Sequence, residues 1–313
     1  MTENNDNIIN MPINMPDILN DDIKSVSVPD SISNGSLNMV KTKLVLSGGG
    51  IKGIAHLGAL CALHELDILK NITVYAGTSV GALIIVLIVI GYIPNEIYDV
   101  IRLLNIENMK DLNISNLLSL YGLDDGKRME IVIVKLLNYK QINENITFLQ
   151  LFEKTNKTIY ITVSCINDKK AYYFSHLTKP NMKILDAIKM SIAIPIFFIP
   201  INYENKLYID GACIDNYPIH IFDDLENVIG IYIKDVSNTI DNIGNIEDVL
   251  IHTIQCLLEG VTQNAIRNYE KYSCILHISN ISSIQLNIDK ETKQKLFDIG
   301  YNTCMEKYKI KNN

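Results

Sequence analysis

The chain has no C-x-x-C pair. Its six cysteines, Cys61, Cys165, Cys213, Cys256, Cys274 and Cys304, lie far apart, and reduced intracellular thiols are the simplest reading of that spacing. Nothing at the N-terminus reads as a charged region followed by an apolar one, so no secretory leader is expected. A run of Lys or Arg is also missing apart from the scattered lysines of residues 307 to 311, and the formal charge is -7. A basic nucleic-acid footprint is therefore excluded. No Asp/Asn/Gly loop has calcium-binding spacing, and no internal repeat is visible.

A spanning helix is not expected either. The uncharged run Val74 to Ile93 would attract a hydropathy window, but its first residues include Gly77, Thr78, Ser79 and Gly81. Its continuously apolar part, Ala82 to Ile90, is too short to cross a bilayer. A helix apolar on all sides is also what the middle of a globular protein requires.

What is present is a 313-residue chain, 48% hydrophobic and 20% charged, enough to bury a full core. Residues 1 to 40 are rich in Asn, Asp and Ser, carry two Asn-Met-Pro repeats and only Lys24 as a cation. They read as a disordered tail. From Lys43 onward, apolar runs at Leu44 to Leu46 and Ile72 to Tyr75 alternate with helical stretches at about Gly53 to Leu69 and Val80 to Ile90, a β-α-β-α order. Helical patterns at Asn95 to Leu104 and Gly126 to Asn138 fall where a cap over a site is expected. Strands are expected at Ile159 to Cys165, Ala171 to Phe174, Lys206 to Ile209 and Val228 to Ile233. A long helix from Ile246 to Tyr272, a strand at Cys274 to Ile278 and a helix from about Asp289 complete the chain.

The most informative motif is Gly77-Thr78-Ser79-Val80-Gly81, between a strand and a helix. A strand that turns sharply into a helix at a serine flanked by glycines exposes the hydroxyl, so Ser79 is the nucleophile candidate. Upstream, Gly48-Gly49-Gly50-Ile51-Lys52-Gly53 also sits between strand and helix. It satisfies G-x-G-x-x-G, yet the second strand ends in the serine motif rather than in the acidic residue that a dinucleotide site wants. A phosphate loop fails because Ile54 and Ala55 follow Gly53. Two readings remain: a tight turn that packs a helix on the sheet, and an oxyanion hole, with backbone N–H groups aimed at the oxygen that gains charge when Ser79 attacks an acyl carbonyl. For Lys52, the expectation is contact with an anionic head group or a solvated surface position.

None of His176, His220, His252 and His277 sits in a loop suited to a catalytic base. Asp210, in Ile209-Asp210-Gly211-Ala212, ends a strand at a glycine-allowed turn, where α/β sheets place their sites. Asp125 before Gly126 reads instead as a helix cap. The apolar segment Ile194 to Ile201 lines an acyl-chain channel, meets a membrane surface, or is a buried strand or turn.

Together the three motifs resemble the signature of the patatin-like phospholipase family, G-G-G-x-[KR]-G, then G-x-S-x-G, then D-G-[AG]. Leu185 to Phe198 and Asp215 to Ile219 resemble the segments on either side of the aspartate, and the likeness runs from about Lys43 to Asp223. The resemblance implies a three-layer α/β/α sandwich with a central, mainly parallel sheet and a catalytic region at 41 to 223; residues 224 to 313 carry no assignable motif, and their helices and strand are expected to complete the same domain. It also implies a Ser79 and Asp210 dyad without histidine, the Gly48 to Gly53 amides holding the oxyanion, and a lipid ester, chiefly phospholipid, as substrate. No metal or organic cofactor is implied. The expected location is cytoplasmic with peripheral contact at membranes. Acyl transfer or thioester cleavage on the same dyad, and a non-catalytic dinucleotide- or lipid-binding protein, remain as alternatives.

Overall fold

The computed structural model describes residues 41–104, 111–236, 243–244, 246–279, 281 and 288–309. The tail assigned to residues 1 to 40 lies outside the described residues. Among the described residues, ten strands form two sheets. The strands are β1 (Lys43–Leu46), β2 (Val74–Thr78), β3 (Gly122–Asp124), β4 (Thr158–Cys165), β5 (Lys170–Phe174), β6 (Ile196–Phe198), β7 (Ile201–Tyr203), β8 (Lys206–Asp210), β9 (Val228–Asp235) and β10 (Ser273–Ile278). The main sheet runs β10-β9-β1-β2-β4-β8-β7, with β5 also on β4, while β3 and β6 pair separately.

Its centre is parallel: β10, β9, β1, β2 and β4 all run one way, while β5, β7 and β8 are antiparallel to their neighbours. Parallel strands need helical crossovers, and helices therefore flank this sheet. In chain order they are α1 (Ile54–Glu65), α2 (Val80–Val89), α3 (Pro94–Leu103), α4 (Ile114–Leu120), α5 (Lys127–Tyr139), α6 (Phe148–Thr155), α7 (Ile184–Ser191), α8 (Ile246–Ala265) and α9 (Lys290–Lys309). The expected mainly parallel sheet between helices is what forms.

The apolar run that mimics a membrane span divides at Ser79 between β2 and α2. Its ten helical residues, Val80–Val89, reach only about 15 Å. They are buried on nearly all sides because α2 fills the middle of the fold. Among the described residues, no helix is long and apolar enough to cross a membrane. Helix α1 is likewise buried from Ile54 to Leu63 and lies against α9 with almost no space between backbones. A Cβ on Gly300 would stand 1.8 Å from the Ala55 carbonyl oxygen.

The C-terminal stretch supplies two strands of the parallel part of the sheet, β9 beside β1 and β10 at the edge beside β9. The long helix expected through Tyr272 ends at Ala265, and residues 270–272 form a separate tight turn.

Sheet register brings the two motif residues together. Thr78, the last residue of β2, pairs with Thr162 of β4. Asp210, the last residue of β8, pairs with Val163, the next residue of the same strand. A single strand thus sets Ser79 and Asp210 side by side, although 131 residues separate them in sequence.

Candidate active site

Ser79 is the residue at which β2 turns into α2, and its backbone sits at φ 54, ψ -126. A side-chain-bearing residue occupies that region only when its surroundings hold it there. Gly81 permits the turn, because a Cβ there would meet the carbonyl oxygens of Ser47 and Leu46 at 2.6 and 2.8 Å. The start of α2 can therefore press directly on the end of β1.

The Ser79 hydroxyl donates to Asp210 Oδ2 at 2.7 Å. Asp210 is 2% exposed, and its other oxygen accepts the Ala212 amide at 2.8 Å. Gly211 sits between them, so tight that a Cβ would lie 2.4 Å from the Thr162 carbonyl oxygen. Burial pushes the Asp210 carboxyl up to about 7, against the opposing pull of the Ser79 hydroxyl and the Ala212 amide.

The glycine loop follows β1 and turns into α1. Gly50 has φ 53, and residues Gly50–Gly53 form a single 3-10 turn. The Gly48 amide is committed to the Asn216 carbonyl at 3.1 Å. Among the described residues, the amides of Gly49, Gly50 and Ile51 donate to no backbone carbonyl, as expected for the first N–H groups of a helical turn. Gly50, Ile51 and Gly53 line one cavity together with Ser79.

Lys52 corrects the sequence expectation. Rather than reaching a head group or solvent, it is fully buried and paired with Asp235 at the end of β9. The odd residue of the loop points into the fold while its neighbours face the cavity. Behind the loop lies His56, also fully buried. Its Nε2–H donates to the Ser47 carbonyl at 2.8 Å, and burial pushes its pKa down to about 4.

The cavity has a volume of about 200 Å³ and an almost wholly apolar lining. Leu83 and Leu87 of α2, Ile97 and Val100 of α3, and Met129, Val132 and Leu136 of α5 contribute to it. Of the helices expected to form a cap between the elbow and β4, α3 and α5 contribute to the wall of this cavity. Of the apolar segment considered for an acyl channel, Ile194, Phe197 and Phe198 line this cavity. Asp124 also lines it, but its carboxylate is occupied by the amides of Asp111 and Gly126, both at 2.7 Å. Asp125 accepts the Lys127 amide at 3.1 Å, at the start of α5.

The four histidines lie elsewhere. His176 stacks on Phe152, His252 contacts Gln255, His277 is exposed on β10, and His220 meets the Tyr173 hydroxyl at 3.1 Å. Two supports of the site carry no obvious signal in sequence. Asp215 accepts from the Tyr173 hydroxyl, while its own carbonyl accepts the Thr78 hydroxyl at 3.1 Å, tying the segment after Asp210 to β2. Ser191, at the end of α7, accepts the Ser79 amide at 2.9 Å. It lies in a segment whose resemblance was visible, but the direction of a hydroxyl is not readable from a sequence.

A mixed sheet flanked by helices, with a serine on a strained strand-to-helix turn beside a buried aspartate, defines an α/β protein with an elbow-type site. The family model for patatin-like phospholipases matches residues 44–223, more than half of the chain, and the chain belongs to that family. It is 39% identical over 183 residues to a probable lipid hydrolase, 463L, of Invertebrate iridescent virus 6, covering 57% of this chain and 62% of that protein. It is 31% identical over 294 residues to an uncharacterized protein of Acanthamoeba polyphaga mimivirus, covering 88% and 94% of the two chains. Triacylglycerol lipase 5 of Saccharomyces cerevisiae is 27% identical over 230 residues, covering 61% of this chain and 29% of the lipase. The chain thus spans less than two thirds of the viral lipid hydrolase and of the yeast lipase. Among solved structures, VipD from Legionella pneumophila superposes with a TM-score of 0.56 at 18% identity, over 85% of this chain and 66% of VipD. That likeness concerns the fold.

Proposed function

We propose that this protein is a lipid acyl hydrolase that cleaves carboxylic esters of phospholipid or lysophospholipid type through an acyl-enzyme on Ser79. The observation that carries the reading is the 2.7 Å hydrogen bond from Ser79 to a buried Asp210, placed beside an apolar cavity. A hydroxyl is a poor nucleophile until a base takes its proton. Here the base is a carboxylate whose pKa of about 7 matches a neutral working pH far better than an ordinary aspartate would.

In the first half-reaction, Ser79 Oγ bonds to the ester carbonyl carbon as its proton passes to Asp210. The carbonyl oxygen becomes an oxyanion, and the amides of Gly49, Gly50 and Ile51 receive it. The N-terminus of α2 adds partial positive charge near the same point. Collapse breaks the ester C–O bond, and the leaving alcohol takes the proton from Asp210. In the second half-reaction, a water gives its proton to Asp210 and attacks the acyl carbonyl. Release of the fatty acid returns the proton to Ser79 Oγ. The apolar cavity accommodates the acyl chain throughout, so binding energy from the chain positions the carbonyl.

Labelling with a fluorophosphonate probe, followed by peptide mass spectrometry, tests this reading. Modification of Ser79 in the wild type and its suppression in Asp210→Asn are the expected results. Folded protein that takes no label, or a Ser79→Ala variant that cleaves phospholipid at the wild-type rate, would sink the proposal.

A further inference from the structure

The last residue of α7 and the segment after it hold both members of the site at once. The Ser79 amide donates to Ser191 Oγ at 2.9 Å, and the Ser191 hydroxyl in turn donates to the Thr162 carbonyl at 2.7 Å. Two residues later, the Ala193 carbonyl accepts the Asp210 amide at 2.9 Å. The residues between and after them, Ile192 and Ile194, line the apolar cavity. The segment therefore alternates: one set of groups grips the backbone of the nucleophile and the base, and the other forms the wall for the chain.

Ser191 is fully buried, as is Thr162. Its single hydroxyl does two things that no apolar residue can do. It satisfies the buried amide of Ser79, which has no other partner among the described residues, and it anchors that amide to β4, the strand that also positions Asp210. The backbone of Ser79 at φ 54 is a conformation that persists only when neighbouring contacts over-determine it.

We infer that Ser191 is a positioning residue for the reaction: through the Ser79 amide it fixes the strained elbow and so the alignment of the nucleophile with Asp210. It also takes the Ser79 amide out of the set available to the oxyanion, leaving that task to the glycine loop. The inference rests on the acyl-hydrolase reading above. It adds a residue that touches neither substrate nor reacting atom.

The test measures kcat and KM on p-nitrophenyl butyrate and the rate of fluorophosphonate labelling at Ser79. It compares the wild type, Ser191→Ala, Ser191→Cys and Ser79→Ala, with thermal unfolding of each. The expected result for Ser191→Ala is a kcat lower by about tenfold to a hundredfold, the scale on which small misplacements act. KM should stay within about twofold, and labelling should slow by the same factor as kcat. Ser191→Cys, whose sulfur is a weak acceptor, should fall between. A folded Ser191→Ala with unchanged kcat overturns the inference, as does a Cys variant no better than the Ala variant. If the Ala variant does not fold, a folded Cys variant with wild-type kcat overturns it equally. Failure of the underlying reading is seen separately, in a wild type that takes no label and cleaves no faster than Ser79→Ala, and it removes this inference as well.

Discussion

Lys52 and Asp235 form an ion pair in which the lysine is wholly buried while the aspartate side chain keeps 32% of its surface. The pair joins the glycine loop to the end of β9, so the loop that faces the cavity is anchored from behind. Its two halves differ in what is left after one is removed. A lone Asp235 can turn to water, whereas a lone Lys52 cannot.

Asp235→Ala should therefore destabilise the protein by about 3 kcal/mol, the scale for a buried charge that loses its partner. Lys52→Met, similar in volume and apolar, should cost far less. Urea denaturation of both variants checks this asymmetry. Equal losses would mean that Asp235 acts mainly through its other contacts.

Two buried groups pull the pH dependence of stability in opposite directions. Asp210 has a folded-state pKa raised from 3.8 to about 7, so the native state holds more protons in that interval and stability falls as pH rises through it. His56 is lowered from 6.5 to about 4. Between those values the unfolded chain holds more protons, and stability rises with pH. The two slopes offset each other in the wild type, giving a flat melting temperature from about pH 4 to 6.5 as far as these groups decide it. Asp210→Asn removes one slope and leaves the other. Its melting temperature should climb across the interval and exceed the wild type near pH 8, by an amount on the order of a few kcal/mol in stability. Scanning calorimetry at several pH values measures both curves, and parallel curves would show that Asp210 is not held neutral by burial. In activity the sign is opposite, since the base must be ionised: kcat/KM should rise with pH through about 7.

Glycine substitutions should separate close approach from mere flexibility. Gly81→Ala places a methyl group 2.6 Å from the Ser47 carbonyl oxygen, a backbone atom that cannot swing aside, and is expected to abolish folding. Gly260, exposed in α8, has nothing within 4 Å of the same added atom. Gly260→Ala should raise stability by about 0.5 to 1 kcal/mol through helix propensity alone. Soluble yield and chemical denaturation decide both cases.

Much of this site was legible because its key residues are fixed by local backbone demands. A serine between Gly77 and Gly81, and an aspartate before Gly211, announce turns that few other residues tolerate. Strand identity was also readable, since β1, β2, β4 and β9 are short apolar runs with turn signals around them. Lys52 reads as facing a head group or solvent because charge in a sequence suggests an exposed position, and its partner lies 183 residues later, at the end of β9. Ser191 and Asp215 act through hydrogen bonds to backbone groups of distant segments. Such contacts depend on sheet register, which no local pattern encodes. The cavity was only half visible: the apolar segment around Ile194 stood out, whereas Val132 and Ile97 are ordinary positions on amphipathic helices until the cap folds over α2.

Acyl-chain length is the substrate property on which the cavity bears most directly. Val132 lies on α5 and lines the cavity with Ser79 and Leu83, so Val132→Trp should reduce the space left in it. If the cavity holds the acyl chain, short esters still fit and long ones lose the apolar contacts that position their carbonyl. Each methylene excluded from such a pocket is worth roughly 1 to 3 kcal/mol in discrimination. The ratio of kcat/KM for palmitoyl over butyryl esters should then fall by about tenfold or more, while labelling of Ser79 by a small fluorophosphonate is unchanged. A matched set of p-nitrophenyl esters reads this ratio directly. An unchanged preference with intact labelling would place the chain outside this cavity and redirect attention to the surface around the cap.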